Sequence, residues 1–492
     1  MISVSELAAD LALWTCFIDG RWSTGDAGEF TSIEPGTATE LATWSMATVD
    51  QADAAIAAAR RTFDHALWRA KPPAERAAVL RRLADLLDRD REQLAQLITA
   101  EVGSPISLAR TLQTATPAVN LRWAADAAER GPRGGYREEL PDQQGPPASR
   151  SVLLREPIGV VSAITAYNYP INLIAWKVGP ALAAGCSVVL LPSPRGALCT
   201  VAFVRLAEEA GVPAGVLNLV VGDAAVGERL AGHPAVDMVS FTGSDRIGAA
   251  VMATASQTHK KVVLELGGKS PTVVLPGADL DRAVGPSMLR FCRNAGQGCG
   301  ATTRILVHRD DFDAFVARAT AFLNELPVGD PTQESTEVGP LITQEHRSRV
   351  EGYLQRAVDK GATVLVGGVR PADLDGYYLK PTLLTGVHPN DEIAQDELFA
   401  PVAVLFPYDS VDEAVEIANN SRYGLNALVW GDPAQAMEIA GRLDTGTVAV
   451  NGGGGARPDV PWTGRRRSGT GSEMGEDGFA EFFTVKHLQW PA

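Results

Sequence analysis

The sequence predicts an α/β fold built on largely parallel sheets, and two observations carry that prediction. From residue 158, strand-like runs at 158–164, 187–191, 216–221, 236–241 and 262–265 alternate with helical stretches at 171–184, 197–210, 224–231 and 245–255. Short strands separated by helices of that length run parallel, because each crossover needs a helix to carry the chain back. The alternation then resumes after Gly267-Gly268, with strand 272–275, helix 279–293, strand 304–308, helices 310–323 and 343–360, and further runs at 401–408, 411–419, 427–431, 433–442 and 446–450. That restart predicts a second α/β unit. Parallel sheets bind ligands at the carboxyl ends of their strands, so the chemistry is expected there.

The flanking elements follow from local pattern. Asp50 is placed to cap an alanine-rich helix over 51–66. Over 74–100, Val79, Leu80, Leu83, Leu87, Leu94 and Leu97 line one face, which reads as a helical stretch. Segment 131–150 crowds Gly131, Pro132, Gly134, Gly135, Pro141, Gly145, Pro146 and Pro147 together and reads as an excursion between elements. The tail 479–492 is too short to fold alone; Phe479, Phe482, Phe483, Val485, Leu488 and Trp490 would form an exposed patch unless they dock.

Composition narrows the partners. The 492 residues are 45% hydrophobic and carry a net charge of −15, which argues against holding a phosphate backbone. Five cysteines (16, 186, 199, 292 and 299) are too few for a disulfide framework, and their odd number favours a reducing, cytoplasmic setting. Residues 1–14 contain Glu6 and Asp10 and no basic residue, unlike a signal peptide. The apolar stretch 172–191 is broken by Lys177, Gly179, Pro180 and Gly185, which fits a buried helix and strand rather than a membrane span.

Four local patterns are candidates for chemistry. Cys299 sits among Gly296, Gly298 and Gly300, where the backbone can approach a ligand and present both the sulfur and an N–H. Its thiol, near pKa 8.5 if unperturbed, is an intrinsically strong nucleophile; the other four cysteines read as small core hydrophobes. Glu265 ends a strand and enters Gly267-Gly268, with a solvated strand-end carboxylate as the plainer reading. Asn168 opens a helix, where its amide is either a cap or a donor to a developing oxyanion. Phe241-Thr-Gly-Ser-Asp-Arg-Ile-Gly248 is a shortened dinucleotide fingerprint, placed where a helix N-terminus can face a pyrophosphate.

Taken together, Asn168, Phe241-Thr-Gly-Ser244, Glu265-Leu-Gly-Gly268, Gly296-Gln-Gly-Cys299, Glu397-Leu-Phe399 and Tyr423-Gly-Leu425 resemble the aldehyde dehydrogenase superfamily in order and spacing. The resemblance runs from about residue 17 to the tail. It implies a Rossmann-like cofactor domain (1–132 and 157–266), an α/β catalytic domain (267–460), and an oligomerisation arm and tail (133–156 and 478–492) giving a dimer or tetramer. By that resemblance Cys299 is the nucleophile, Glu265 the base that activates water, Asn168 half of the oxyanion hole, and Lys177 part of a proton relay to Glu265. The cofactor, NAD with NADP also accepted, would lie along Thr165, Tyr167, Leu191, Ser193, Gly222, Phe241, Gly243, Ser244, Ile247, Leu266 and Gly267, with Glu397 and Phe399 at the nicotinamide end. No metal is expected.

The chain departs from the family pattern where a Lys and, three residues on, a Glu usually meet the adenosine ribose: it has Leu191 and Pro194. The family's Glu-x-Phe-Gly-Pro reads Glu397-Leu-Phe-Ala400-Pro401 here, and Asn451 is followed by four glycines. Tyr167, Tyr169, Leu173 and Trp176 read either as the wall of an apolar funnel or, at helical spacing, as core residues, and the glycine run after Asn451 leaves space for a bulky or aromatic aldehyde. Two rivals remain at this point: a coenzyme A-acylating dehydrogenase, disfavoured by Glu265, and a non-catalytic member of the fold.

Overall fold

A computed structural model describes residues 3–454 and 457–492. Its first sheet has the order Arg21–Ser23, Cys16–Ile18, Leu217–Val220, Ser187–Pro192, Val160–Thr165, Met238–Thr242, Lys261–Glu265, Gly469–Thr470. The five strands from Leu217–Val220 to Lys261–Glu265 are parallel, and the outer pairings are antiparallel. Strand Ser187–Pro192 is buried throughout, as a near-continuous apolar run covered on both faces must be. Chain order reverses between Val160–Thr165 and Met238–Thr242, so a crevice opens beyond their carboxyl ends.

The second sheet runs Thr363–Val366, Thr382–Thr385, Val402–Tyr408, Thr302–His308, Ser270–Val274, Asn426–Trp430, Thr447–Val450, all parallel but for the first pairing. It has its own apolar core, which includes Phe291, Phe315 and Phe406. A third, antiparallel sheet joins Arg137–Glu139, Ser149–Pro157 and the tail strand Phe483–Pro491, in register from Phe483 opposite Pro157 to Trp490 opposite Arg150.

Several local expectations are corrected. Helix Val49–Asp64 is capped by Thr48, in a capping box with Gln51, rather than by Asp50. The stretch 74–100 is two helices, Pro73–Arg89 and Arg91–Val102, parted at Asp90. Their apolar spacing runs on across the break because Leu83, Leu87, Leu94 and Leu97 all enter the same core. Segment 131–150 is not only loop, since Arg137–Glu139 pairs as a strand. Strands Cys16–Ile18, Arg21–Ser23, Glu29–Glu34 and Thr39–Ser45 and helix Ala115–Arg130 carry too weak a periodicity to be read from the sequence. In the tail, Phe479, Phe482 and Phe483 are buried within the chain's own core, whereas Val485, Leu488 and Trp490 remain exposed.

Candidate active site

Helix Leu280–Cys292 ends in a turn that delivers Cys299 to the junction of the two sheets. Asn294, Ala295 and Gly296 have φ of 53°, 53° and 71°, three successive left-handed residues. At Gly296 an added Cβ would lie 2.2 Å from the Ala400 carbonyl, so this turn packs directly on the segment after Phe399. Asn294 Nδ2 donates to the Asn168 carbonyl (3.0 Å), and Asn168 Nδ2 donates to the Gln297 carbonyl (3.0 Å). Gln297 is fixed in turn, its side-chain oxygen accepting from the Tyr167 hydroxyl (3.1 Å) and the Ile342 N–H (3.0 Å). Asn168 is therefore buried and oriented from both sides with one amide N–H still to offer.

Glu265 closes strand Lys261–Glu265, and both of its carboxyl oxygens are buried without a partner. Burial, and then the Glu473 carboxylate, push its carboxyl well above the usual range, while Lys177 pulls the other way. Lys177, fully buried, donates to Ser240 Oγ (3.0 Å) and pairs with Glu473. Lys177, expected in a proton relay to Glu265, acts on that carboxyl through charge and has Glu473 as its ion-pair partner. The Cys299 thiol is pushed up to about 12, first by burial and then by the charges of Glu265 and Glu397. A thiol near 8.5 would be a few per cent thiolate at neutral pH, and the folded site lowers that fraction further.

Glu397 Oε1 accepts from the Gly268 N–H (3.0 Å), and an added Cβ on Gly267 would sit 2.0 Å from the other oxygen. Only glycine lets that carboxylate lie against the backbone. Burial raises the Glu397 carboxyl to about 7. The Leu398 carbonyl accepts from Arg349 (2.7 Å) and lies 3.1 Å from His346 Nε2. The next residue, Phe399, has φ 57° and packs edge-on to Tyr167 at 6.2 Å. Tyr167 therefore belongs to this side of the site, not to a substrate funnel; Tyr169, whose hydroxyl lies 3.7 Å from an added Gly298 Cβ, is the tyrosine beside Cys299.

The crevice fits a dinucleotide. Thr165 and Thr242 end the two strands that flank the reversal, and both hydroxyls are buried without partners. Ser244 caps helix Asp245–Ser256, accepting from the Ile247 N–H (3.4 Å), so that helix presents its N-terminus to the same crevice. Gly243 lies under Phe241, where a Cβ would come 2.4 Å from the ring, and Leu266 covers Gly248 at 2.6 Å. Gly222 leaves room for Val226. Ser193 caps the short turn Pro194–Gly196, and Leu191 is buried in the apolar layer with Val226 and Leu230.

The chain matches the aldehyde dehydrogenase family over residues 22–488. It belongs to that family. This aldehyde dehydrogenase is 38% identical to the betaine aldehyde dehydrogenase of Bacillus subtilis, over 96% of each chain, and 38% identical to the 3-sulfolactaldehyde dehydrogenase of Pseudomonas putida, again over 96% of each. The crystal structure of Staphylococcus aureus betaine aldehyde dehydrogenase in complex with NAD+ superposes with a TM-score of 0.94 at 34% identity, covering 99% of this chain and 97% of that one. The fold and the class of reaction are those of an NAD(P)-dependent aldehyde dehydrogenase.

Two residues of this aldehyde dehydrogenase's site, Glu473 and Trp462, escape a reading of the sequence. Glu473 lies between Gly469–Thr470 and helix Gly475–Ala480, in a loop with no local pattern. Its backbone exchanges hydrogen bonds with Trp462 (2.7 and 2.9 Å), whose indole reaches to 3.1 Å of an added Gly300 Cβ. Gln297 was visible inside the glycine-rich motif, but its role as the hub for Tyr167 and Asn168 is tertiary.

Proposed function

We propose that the chain oxidises an aldehyde to its carboxylic acid with Cys299 as nucleophile, a reading carried by the convergence of Cys299, Asn168 and the unpartnered Glu265. The thiol gives up its proton to solvent as it attacks, against the neighbouring Glu265 and Glu397 charges that hold its pKa up. The Asn168 amide and the Cys299 N–H then hold the oxyanion of the tetrahedral adduct. Bound NAD+ supplies the hydride acceptor. Glu265 next takes a proton from water, which cleaves the thioester, and Lys177 and Glu473 set the carboxyl's affinity for that proton. Glu397 and Phe399 would hold the nicotinamide end; Thr165, Ser193, Phe241, Gly243, Ser244, Ile247 and Leu266 would line the rest, and NADP would also be accepted.

The free carboxyl oxygens of Glu265 favour hydrolysis over acyl transfer to coenzyme A. The exposed Val485, Leu488 and Trp490 of the tail strand, at 62%, 40% and 41%, favour burial against a second subunit, hence a dimer or tetramer. Five unpaired cysteines favour a cytoplasmic setting. No described helix is long and apolar enough to cross a membrane. The test is cofactor reduction with a panel of aldehydes, with and without coenzyme A, reported as kcat/KM. Turnover independent of coenzyme A is expected; silence throughout would leave a non-catalytic member of the fold.

A further inference from the structure

One arginine ties together the two walls of the crevice. Asp245 opens helix Asp245–Ser256, whose capped N-terminus faces the crevice from the first sheet. On the opposite wall Asp396 immediately precedes Glu397, and its carboxylate accepts from the Tyr353 hydroxyl at 2.8 Å. Arg422 lies between these two aspartates. Its Nη2 is 3.0 Å from Asp396 Oδ1, and its Nε is 3.9 Å from Asp245 Oδ2. Arg467 reaches the same Asp245 oxygen at 2.9 Å, and its backbone N–H donates to the Arg422 carbonyl at 3.1 Å.

These four charges differ from a solvated surface pair. The Asp245 and Asp396 side chains are only 15% and 29% exposed, so salt and water screen them less than a fully solvated pair. The Arg422 guanidinium also lies over the Tyr423 ring, 5.0 Å from its centroid, which restrains its position. Next to Arg467 stands the fully buried Ser468, whose Oγ accepts from the Gly424 N–H (3.0 Å) and donates to the Gly267 carbonyl (2.7 Å). Gly267 is the glycine against which the Glu397 carboxylate lies. Glu397 is therefore supported twice from this corner, through its neighbour Asp396 and through the backbone beneath its carboxylate. An isolated exposed ion pair contributes little, whereas several charges in one network hold a geometry.

We propose that Arg422 is a positioning residue for the cofactor. By bridging Asp245 to Asp396 it fixes the separation between the helix N-terminus that would meet the pyrophosphate and the Glu397 that would hold the nicotinamide ribose. This rests on the assignment of the crevice to NAD(P). A ligand confined to the adenosine end does not sense that separation, and a ligand that spans both walls does.

The test follows NADH binding by its fluorescence, and the binding of AMP and ADP-ribose by their displacement of NADH. The proteins are the wild type, Arg422→Gln, Arg422→Lys, Asp245→Asn and the double variant Arg422→Gln with Asp245→Asn. AMP occupies only the adenosine end, whereas ADP-ribose extends to the ribose that Glu397 would hold. Arg422→Gln should weaken NADH and ADP-ribose about threefold to tenfold and leave AMP within about twofold, the scale of one networked ion pair. Lysine should restore part of the loss. Asp245→Asn should weaken ADP-ribose too, and the double variant should lose no more than the worse single one, because both changes remove one bridge. Equal loss of AMP, additive losses, or an Arg422→Gln protein that binds all three ligands as the wild type does overturns the bridge. An Asp245→Asn protein that binds ADP-ribose more tightly also overturns it, since that carboxylate would then be a repulsive charge beside the pyrophosphate. A wild type from which neither AMP nor ADP-ribose displaces NADH removes the cofactor crevice itself, and the bridge falls with it.

Discussion

The two ends of the proposed cofactor crevice are built on opposite principles. At the nicotinamide end, the buried Glu265, Glu473 and Lys177 stand beside the half-buried Cys299 and Glu397, and Glu265 and Cys299 are pushed far from their ordinary titration ranges. At the adenosine end stand Leu191, in strand Ser187–Pro192, and Pro194, which opens the turn after it, and neither carries charge or a side-chain hydrogen bond. Buried unmatched polar groups cost stability, and Glu265 carries two such oxygens where bonds would be made and broken. Where a ligand need only be held, the chain uses apolar packing and a helix N-terminus. The lesson is that strain in protonation marks the chemical end of the crevice.

The largest test of that contrast is Cys299→Ala. It should cut turnover by at least about a hundredfold, since no other thiol lies in reach; retained activity would remove the nucleophile from the chemical end. Glu265→Gln should preserve a single burst of reduced cofactor and slow the steady state that follows, because hydride loss precedes the step that needs a base toward water. Equal loss of burst and steady state would assign the carboxyl to thiol activation instead.

Glu473→Gln should act on the pH profile. The Glu473 charge raises the Glu265 carboxyl and Lys177 lowers it, so removing that charge lowers the Glu265 pKa, and the acidic limb of kcat should move to lower pH. An unmoved limb with reduced kcat would make Glu473 a merely structural partner of Trp462. The smallest effect is expected at the adenosine end. A carboxylate in place of Pro194 would accept from a ribose hydroxyl and repel a 2′-phosphate, so Pro194→Glu should raise the NAD over NADP ratio about tenfold for a charge effect near 1.4 kcal/mol. A wild type that already prefers NAD several thousandfold would show that another group excludes the phosphate, and the contrast between the two ends would weaken.

Much of the fold is legible in the sequence. The period of apolar residues determined the alternation of strands and helices, and the glycines around Cys299, Glu265 and Phe241 marked the close approaches by their spacing alone. Covalent neighbours suffice for that, because secondary structure and tight turns depend on a few adjacent residues. The tertiary structure decided what those residues do to one another. It put Glu473 on Lys177, Gln297 between Tyr167 and Asn168, and Tyr167 against Phe399 rather than in a funnel. It buried three tail phenylalanines within the chain. Desolvation and charge depend on distance through space, and residues more than a hundred positions apart meet at this site, so no window of sequence could have supplied the protonation of Cys299 or the partner of Lys177.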